Sequence, residues 1–318
     1  MRMDERVDVI IPVYRPDAEF GEVVRKLEAQ DIRPQKIIIM NTVDNDPAGV
    51  YDLTEGCESV EIHNITKEEF DHGKTRNEAA SYSDAPYLVY MTMDAVPADG
   101  HLISELIKPM ADEKTAVSYA RQLPKEDCSV LERINRNFNY PEEDAKKSIE
   151  DIKTLGVKTF FCSNACACYK REVFDSLGGF VNETLFNEDM IYASKAVRSG
   201  YCIYYASNAR VFHSHNYTLA GQYHRNFDLG VSQAEHPEVF EGISSENEGM
   251  KLVRSSIRAL AEQKKLYLVP EFLLFCAARY TGFKRGRKYE KMSEKAVLKA
   301  TTDPGYFLKK WQNHINER

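Results

Sequence analysis

Two hydrophobic periods alternate along the first third of the chain, and this pattern limits the fold more than any single motif. Val7 to Val13 is a continuous apolar run, with Pro12 near its end. Phe20 to Gln30 then places Phe20, Val23, Val24 and Leu27 on one helical face. Lys36 to Met40 is a second strand-like run, followed by the turn-rich NTVDNDPAG. Val60 to Ile65 reads as a third strand and Lys74 to Ser83 as a helix. Tyr87 to Met93 is a fourth strand that stops at Asp94, and Leu102 to Met110 is helical again. Runs that are apolar throughout suit strands covered on both faces. The alternation therefore predicts an α/β fold, a mostly parallel sheet flanked by helices. Ligands of such sheets gather at the carboxyl ends of the strands, where Tyr14, Asn41 and Asp94 fall.

The second half is less regular. Cys128 to Lys153 is polar and reads as a helix with a loop, and Thr159 to Tyr169 is strand-like. Met190 to Ser199 reads as a helix closed by Gly200, the usual C-terminal residue. Tyr201 to Ala206 and Ala209 to His213 read as two short strands. From about Met250, apolar residues at helical spacing mix with Lys and Arg. The expected division is a domain over 1–240, with halves at about 1–120 and 121–240, and a helical extension over 241–318.

Composition excludes several classes. A net charge of −7 and a pI near 5.7 argue against a nucleic-acid partner held by phosphate attraction. The opening MRMDERVDVIIPVY reads as a first strand, not a signal peptide. No run reaches the roughly 18–20 apolar residues that span a bilayer; Leu266 to Ala278 is interrupted by Pro270 and Glu271. A cytoplasmic protein, soluble or resting on the inner face of the cell membrane, is expected. The seven cysteines are odd in number and scattered, which suits reduced thiols better than a disulfide framework. Cys162, Cys166 and Cys168 cluster, but without the paired spacing of zinc sites. They read as small buried residues on a strand.

Four stretches carry potential chemistry. In YMTMDAVPAD a strand runs into Asp94, a carboxylate that could hold Mg²⁺ or Mn²⁺ against a diphosphate or could cap the next helix. In FNEDM, Glu188 and Asp189 stand at a helix start; they could complement the helix dipole, or one could serve as a general base. In VFHSHNYT, His213 and His215 point to one side of a strand if it continues, so an imidazole could complete a metal shell with Asp94. In FDHGKTRNEAA, His72, Lys74 and Arg76 cluster where a helix begins, an arrangement suited to an anion or to a solvated basic patch.

Taken together, in order and spacing, IIPVY, FDHGKTRN, TMDAVP, NEDM and HSHNYT resemble the family-2 glycosyltransferases, and among them most closely the bacterial rhamnosyltransferases. YHRNFDLGVS adds to the likeness, which covers roughly residues 7–235. The resemblance implies a GT-A-type, Rossmann-like sheet flanked by helices, with a C-terminal helical extension. It assigns Pro12, Val13, Tyr14 and Arg15 to the nucleotide. It places Asn41, with Asp44 and Asp46 close behind, where the family usually has an acidic residue facing the base. It implies diphosphate contacts from Lys74 and Arg76. The family's D-x-D metal motif is reduced here to Thr92-Met93-Asp94, leaving His213, then His215, to help hold the cation. Asp189 matches the catalytic base and Glu188 its neighbour.

The implied activity is inverting transfer of a sugar to an acceptor hydroxyl. The rhamnosyltransferase-like phrases suggest dTDP-L-rhamnose as donor; a UDP-hexose or UDP-N-acetylhexosamine is the alternative. The implied acceptor is a cell-surface glycan precursor, typically lipid-linked. A catalytically silent nucleotide-binding subunit of a polysaccharide assembly complex is the reading from another class, supported only by the shortened D-x-D. The apolar, aromatic stretch Tyr267 to Tyr280 followed by FKRGRKYEK suits a membrane-surface contact. It also suits a core helix or a homodimer contact.

Overall fold

The computed structural model describes residues 5–43, 48–242 and 246–316. The chain forms two compact units, Met1–Glu183 with Glu188–Ser214, and Thr184–Asn187 with His215–Arg318.

The first unit is built on strands β1 (Val7–Tyr14), β2 (Lys36–Thr42), β3 (Val60–Ile65), β4 (Tyr87–Met91), β5 (Val96–Pro97), β6 (Thr115–Leu123), β7 (Ala145–Lys147), β8 (Cys166–Lys170) and β9 (Cys202–Phe212). They form one sheet in the order β3-β2-β1-β4-β8-β6-β9-β5, with β7 paired to β9. β1, β2, β3, β4, β6 and β9 share one direction, and β8 runs against both its neighbours. The sheet is thus mostly parallel, as the alternation predicted. Val7, Val9, Ile10 and Ile11 are all wholly buried although they point to opposite faces. Each such side chain contributes about 1.5–3 kcal/mol through burial. Asp8 is the polar exception in β1; its carboxylate accepts from the Lys36 N–H at 2.9 Å and the Ser83 hydroxyl at 2.6 Å.

Three predicted strands differ. Instead of a strand over Thr159 to Tyr169, a 3-10 helix spans Gly156–Phe160 and β8 begins only at Cys166. Between them Cys166 N–H turns back to the Ser163 carbonyl at 3.2 Å, and the Ser163 hydroxyl accepts from Ala165 N–H at 3.4 Å. These local bonds compete with a ladder. The two strands expected between Tyr201 and His213 are one, β9, over Cys202–Phe212. Its register against β6 shifts between Ala206 and Arg210, where Asp144 accepts from the Ser207 N–H and hydroxyl at 2.8 and 2.7 Å. Cys166 and Cys168 are buried on β8, and burial raises both thiols well above their ordinary value. This is the chemistry of inert core residues.

The second unit is helical. Its core contains Leu185, Phe227, Val231, Tyr289, Val297, Ala300 and Phe307. Helices Leu219–Glu235 and Val269–Gly286 meet backbone to backbone: a Cβ on Gly282 would lie 2.3 Å from the Tyr223 carbonyl oxygen, and one on Gly286 2.0 Å from that of Phe227. Only glycine permits that approach. The break between units therefore falls after Ser214, earlier than the expected boundary at 240, because the helix from Leu219 belongs with the C-terminal helices. Pro270 stands in the first turn of its helix, where the missing N–H costs nothing, and Leu266–Leu268 before it form a separate 3-10 turn. Among the described residues no helix is long and apolar enough to cross a membrane.

Candidate active site

Beyond β4 the chain turns tightly. Thr92 N–H donates to the Ala165 carbonyl at 3.3 Å and Ala95 N–H to that of Thr92 at 3.2 Å. The turn leaves Met93 and Asp94 half-buried at the sheet's carboxyl end. Asp94 does not cap the next helix, Leu102–Ile107, whose N-cap is His101. Its Oδ1 instead lies 3.4 Å from His213 Nε2. His213 is held just past β9 by its N–H, which donates to the Leu123 carbonyl at 2.9 Å. Two ligand atoms bound side by side on one octahedral cation of Mg²⁺ size lie about 3 Å apart, so this pair fits a shared ion. The Thr92 hydroxyl, two residues before Asp94, is buried without a hydrogen-bond partner among the described residues. His215 follows two residues after His213 and opens the second unit.

The acidic pair begins helix Glu188–Arg198. Tyr192, Ala193, Ala196 and Val197 bury one face of it. The chain leaves through Gly200 at φ +91°, a left-handed conformation natural to glycine. Asp189 stays partly accessible and accepts from Asn164 N–H at 3.0 Å and Met190 N–H at 2.7 Å. Burial, reinforced by the negative Glu188 beside it, outweighs those bonds and pushes Asp189 up to about 7. Glu188 is buried and moves the other way. Burial alone would raise it, but the Arg76 guanidinium at 3.4 Å, His72 and the Asn164 amide at 3.1 Å together hold it below the ordinary carboxylate range. Adjacent carboxylates whose environments push them apart divide into a permanent anion and a proton acceptor poised near neutrality.

Helix His72–Ala80 positions this pair. The expected anion site at its start is filled from within: Asp71 caps it, accepting from Gly73 N–H at 3.0 Å and Lys74 N–H at 2.7 Å. Arg76 is turned inward, its guanidinium donating to the His72 carbonyl at 2.8 Å and facing Glu188. Of the expected phosphate ligands on this helix, only Lys74 faces solvent. The HGKTRN phrase has a different task in the fold. Asn77 grips the backbone of Phe180 from both sides, accepting its N–H and donating to its carbonyl, each at 2.9 Å. A Cβ on Gly73 would sit 1.7 Å from the Val181 carbonyl oxygen. The helix thus docks the segment that leads into Glu188 and Asp189.

At the opposite side of the sheet, Val13 pairs with Asn41, and Asn41 with Asn64, in register. Asn41 is buried, its amide donating to Asn64 Oδ1 at 2.8 Å. Pro12 and Tyr14 are half-buried. The Tyr14 ring has Arg15 at 5.1 Å and Lys67 at 4.8 Å from its centroid. Arg15 is exposed and adopts φ +50°, a left-handed conformation that a side chain adopts at a cost. Asp44 and Asp46 lie outside the described residues.

The family model Glycosyl transferase family 2 matches residues 8–178, which include both the Tyr14 strand end and Asp94. The chain belongs to glycosyltransferase family 2. It is 35 % identical over 291 residues to the O-antigen chain rhamnosyltransferase RfbN of Salmonella typhimurium, covering 90 % of this chain and 91 % of that one. It is 35 % identical over 292 residues to the O-antigen chain rhamnosyltransferase WbaN of Salmonella anatum, covering 89 % and 90 %. Among solved structures, the mannosyltransferase PcManGT of Pyrobaculum calidifontis, in complex with GDP-Man and Mn²⁺, superposes with a TM-score of 0.56 at 18 % identity over 95 % of this chain and 85 % of that one. The fold is GT-A, and the chain is an enzyme, a glycosyltransferase, which sets aside the silent-subunit reading.

Four residues of this glycosyltransferase's site escaped the sequence. Lys67 stands in a turn with no pattern around it. Asn64 looks like one polar residue among others on a partly exposed strand. Gln122, whose Oε1 lies 2.8 Å from His213 Nδ1, and Asn164 did leave a signal, as polar residues at the edge of apolar strands, where a buried amide needs partners.

Proposed function

We propose that the enzyme transfers L-rhamnose from dTDP-L-rhamnose, with inversion, to a hydroxyl of a lipid-linked O-antigen precursor, and that it requires Mg²⁺ or Mn²⁺. The observation that carries the donor and acceptor is the 35 % identity to RfbN and WbaN along nine-tenths of each chain. The imidazole nitrogen beside the Asp94 oxygen favours Mn²⁺ over Mg²⁺, the harder cation that keeps to oxygen ligands. Asp94 and His213 would hold the ion; His215, two residues further along, is the candidate for another donor. Such an ion, when bound, supplies positive charge against the departing diphosphate. Asp189 accepts the proton of the acceptor hydroxyl as its oxygen bonds to the anomeric carbon. The bond from that carbon to the phosphate oxygen breaks, and dTDP leaves. Lys74 and Arg15 offer the accessible cations for the diphosphate, and Asn41 an amide edge for the pyrimidine. Arg76 serves instead as the partner that keeps Glu188 ionised.

Calorimetry with dTDP-rhamnose, UDP-glucose and UDP-N-acetylglucosamine, each with and without Mn²⁺, tests this reading. Tight binding of dTDP-rhamnose alone, lost in Asp94→Ala, is the expected result. Equal binding of UDP-sugars, or binding indifferent to Mn²⁺ and to Asp94, would overturn the donor or the metal respectively.

We also place the second unit's helix Val269–Gly286 against the inner membrane surface, where a lipid-linked acceptor would reside. Leu273, Leu274 and Tyr280 are exposed on it, and Lys284, Arg285, Arg287 and Lys288 follow. An exposed apolar stripe ending in cations fits anionic lipid. Neutralising those four residues is expected to abolish co-sedimentation with phosphatidylglycerol vesicles; undiminished binding would refute the contact, and a concentration-dependent dimer would assign the face to a second copy.

A further inference from the structure

The side chain behind His213 decides which of its two nitrogens can meet a cation. His213 Nδ1 lies 2.8 Å from Gln122 Oε1. The same oxygen accepts from Arg136 Nη1. A guanidinium has donors only, so the Gln122 atom facing it must be the oxygen and not the amide nitrogen. An oxygen facing Nδ1 requires Nδ1 to carry the hydrogen. In the neutral ring, the form that ligates a metal, Nε2 then carries the lone pair, and it is the atom 3.4 Å from Asp94.

Gln122 has no freedom to turn over. Its amide nitrogen donates to the Ser163 hydroxyl at 2.9 Å, and Arg136 is clamped by Glu132, Nε to Oε1, at 2.6 Å. Gln122 and Glu132 are both buried. Ser163 precedes Asn164, whose N–H holds Asp189. Hydrogen bonds, with the peptide bond from Ser163 to Asn164 as one link, thus connect the Asp94–His213 pair to the acidic residue at the helix start, wholly within the first unit.

We propose that Gln122, locked by the Arg136–Glu132 pair, is the positioning residue that holds His213 in its Nδ1–H form and presents Nε2 to the metal ion. This rests on the metal reading above and adds to it a residue that touches neither ion nor substrate. Outer partners of this kind fix the tautomer and ring orientation of a ligating histidine.

The test is titration of Mn²⁺ into the purified full-length protein, followed by electron paramagnetic resonance. Gln122→Leu is expected to weaken Mn²⁺ binding by about 10–100-fold, and Gln122→Glu, whose carboxylate still accepts from Nδ1–H and Arg136, by no more than about threefold. If Gln122→Leu binds like the wild type while His213→Ala has lost the ion, the inference fails and the metal reading stands. If His213→Ala also binds normally, both fail. Nitrogen NMR of the histidine-labelled wild type with Mg²⁺, assigned against His213→Ala, gives a reading that needs no folded Gln122 variant: a protonated Nδ1 supports the inference, and a protonated Nε2 overturns it.

Discussion

Asp189→Asn is expected to lower kcat by about 10²–10⁴-fold, the range of a lost general base, while leaving the affinity for the sugar nucleotide within about twofold, since an uncharged isostere removes no donor contact. The wild type should lose kcat/KM as the pH falls below about 7, the value to which burial and Glu188 push Asp189. Glu188→Gln removes the neighbouring negative charge and should move that acid limb to lower pH. The sign for stability is opposite. Between the ordinary carboxylate range and about 7 the folded chain keeps a proton on Asp189 that the unfolded chain has lost. Stability therefore declines as the pH rises through this window. The Asn variant escapes that decline, so at pH 8 it should melt no lower than the wild type while being nearly inactive. A variant that is inactive and markedly unstable would point to a structural role instead.

Arg76→Met should cost about 3–5 kcal/mol, because it strands Glu188 as an unpaired charge in the interior. Both side chains are almost wholly buried, at 6 % and 8 % exposure. The double variant Arg76→Met/Glu188→Gln should recover most of the loss, since no ion is then left to compensate. Chemical denaturation measures both. A single variant as stable as the wild type would mean that Glu188 is neutral in the folded chain, against the direction set by Arg76 and His72. An unrecovered double variant would mean that the stem of Arg76, not its charge, carries the stability.

The sheet was legible because strands buried on both faces must be apolar at every position, as β1 is from Val9 to Ile11. The segment before β8 was not, because Ser163 and Asn164 divert hydrogen bonds from the ladder and no periodicity records such a diversion. Asp94, His213 and Asp189 were found from motifs rather than from physics, since each alone also suits a helix cap or a surface position. Arg76 shows the limit of that route. The motif marked this cation as a diphosphate ligand, but its partner, Glu188, lies more than a hundred residues away, and only the fold reveals that the two neutralise one another. Gln122 left only the hint of a polar residue in an apolar strand, and its role was hidden for the same reason: its partners come from three separate stretches of chain.

The grip of Asn77 and Gly73 on residues 180–181 sets a rule for recombining this enzyme with its relatives. A crossover between residues 78 and 179 would hand one parent's clasp to the other parent's segment before Glu188 and Asp189. Hybrids that keep both stretches from a single source should remain active, and swaps of sugar preference are best attempted outside them.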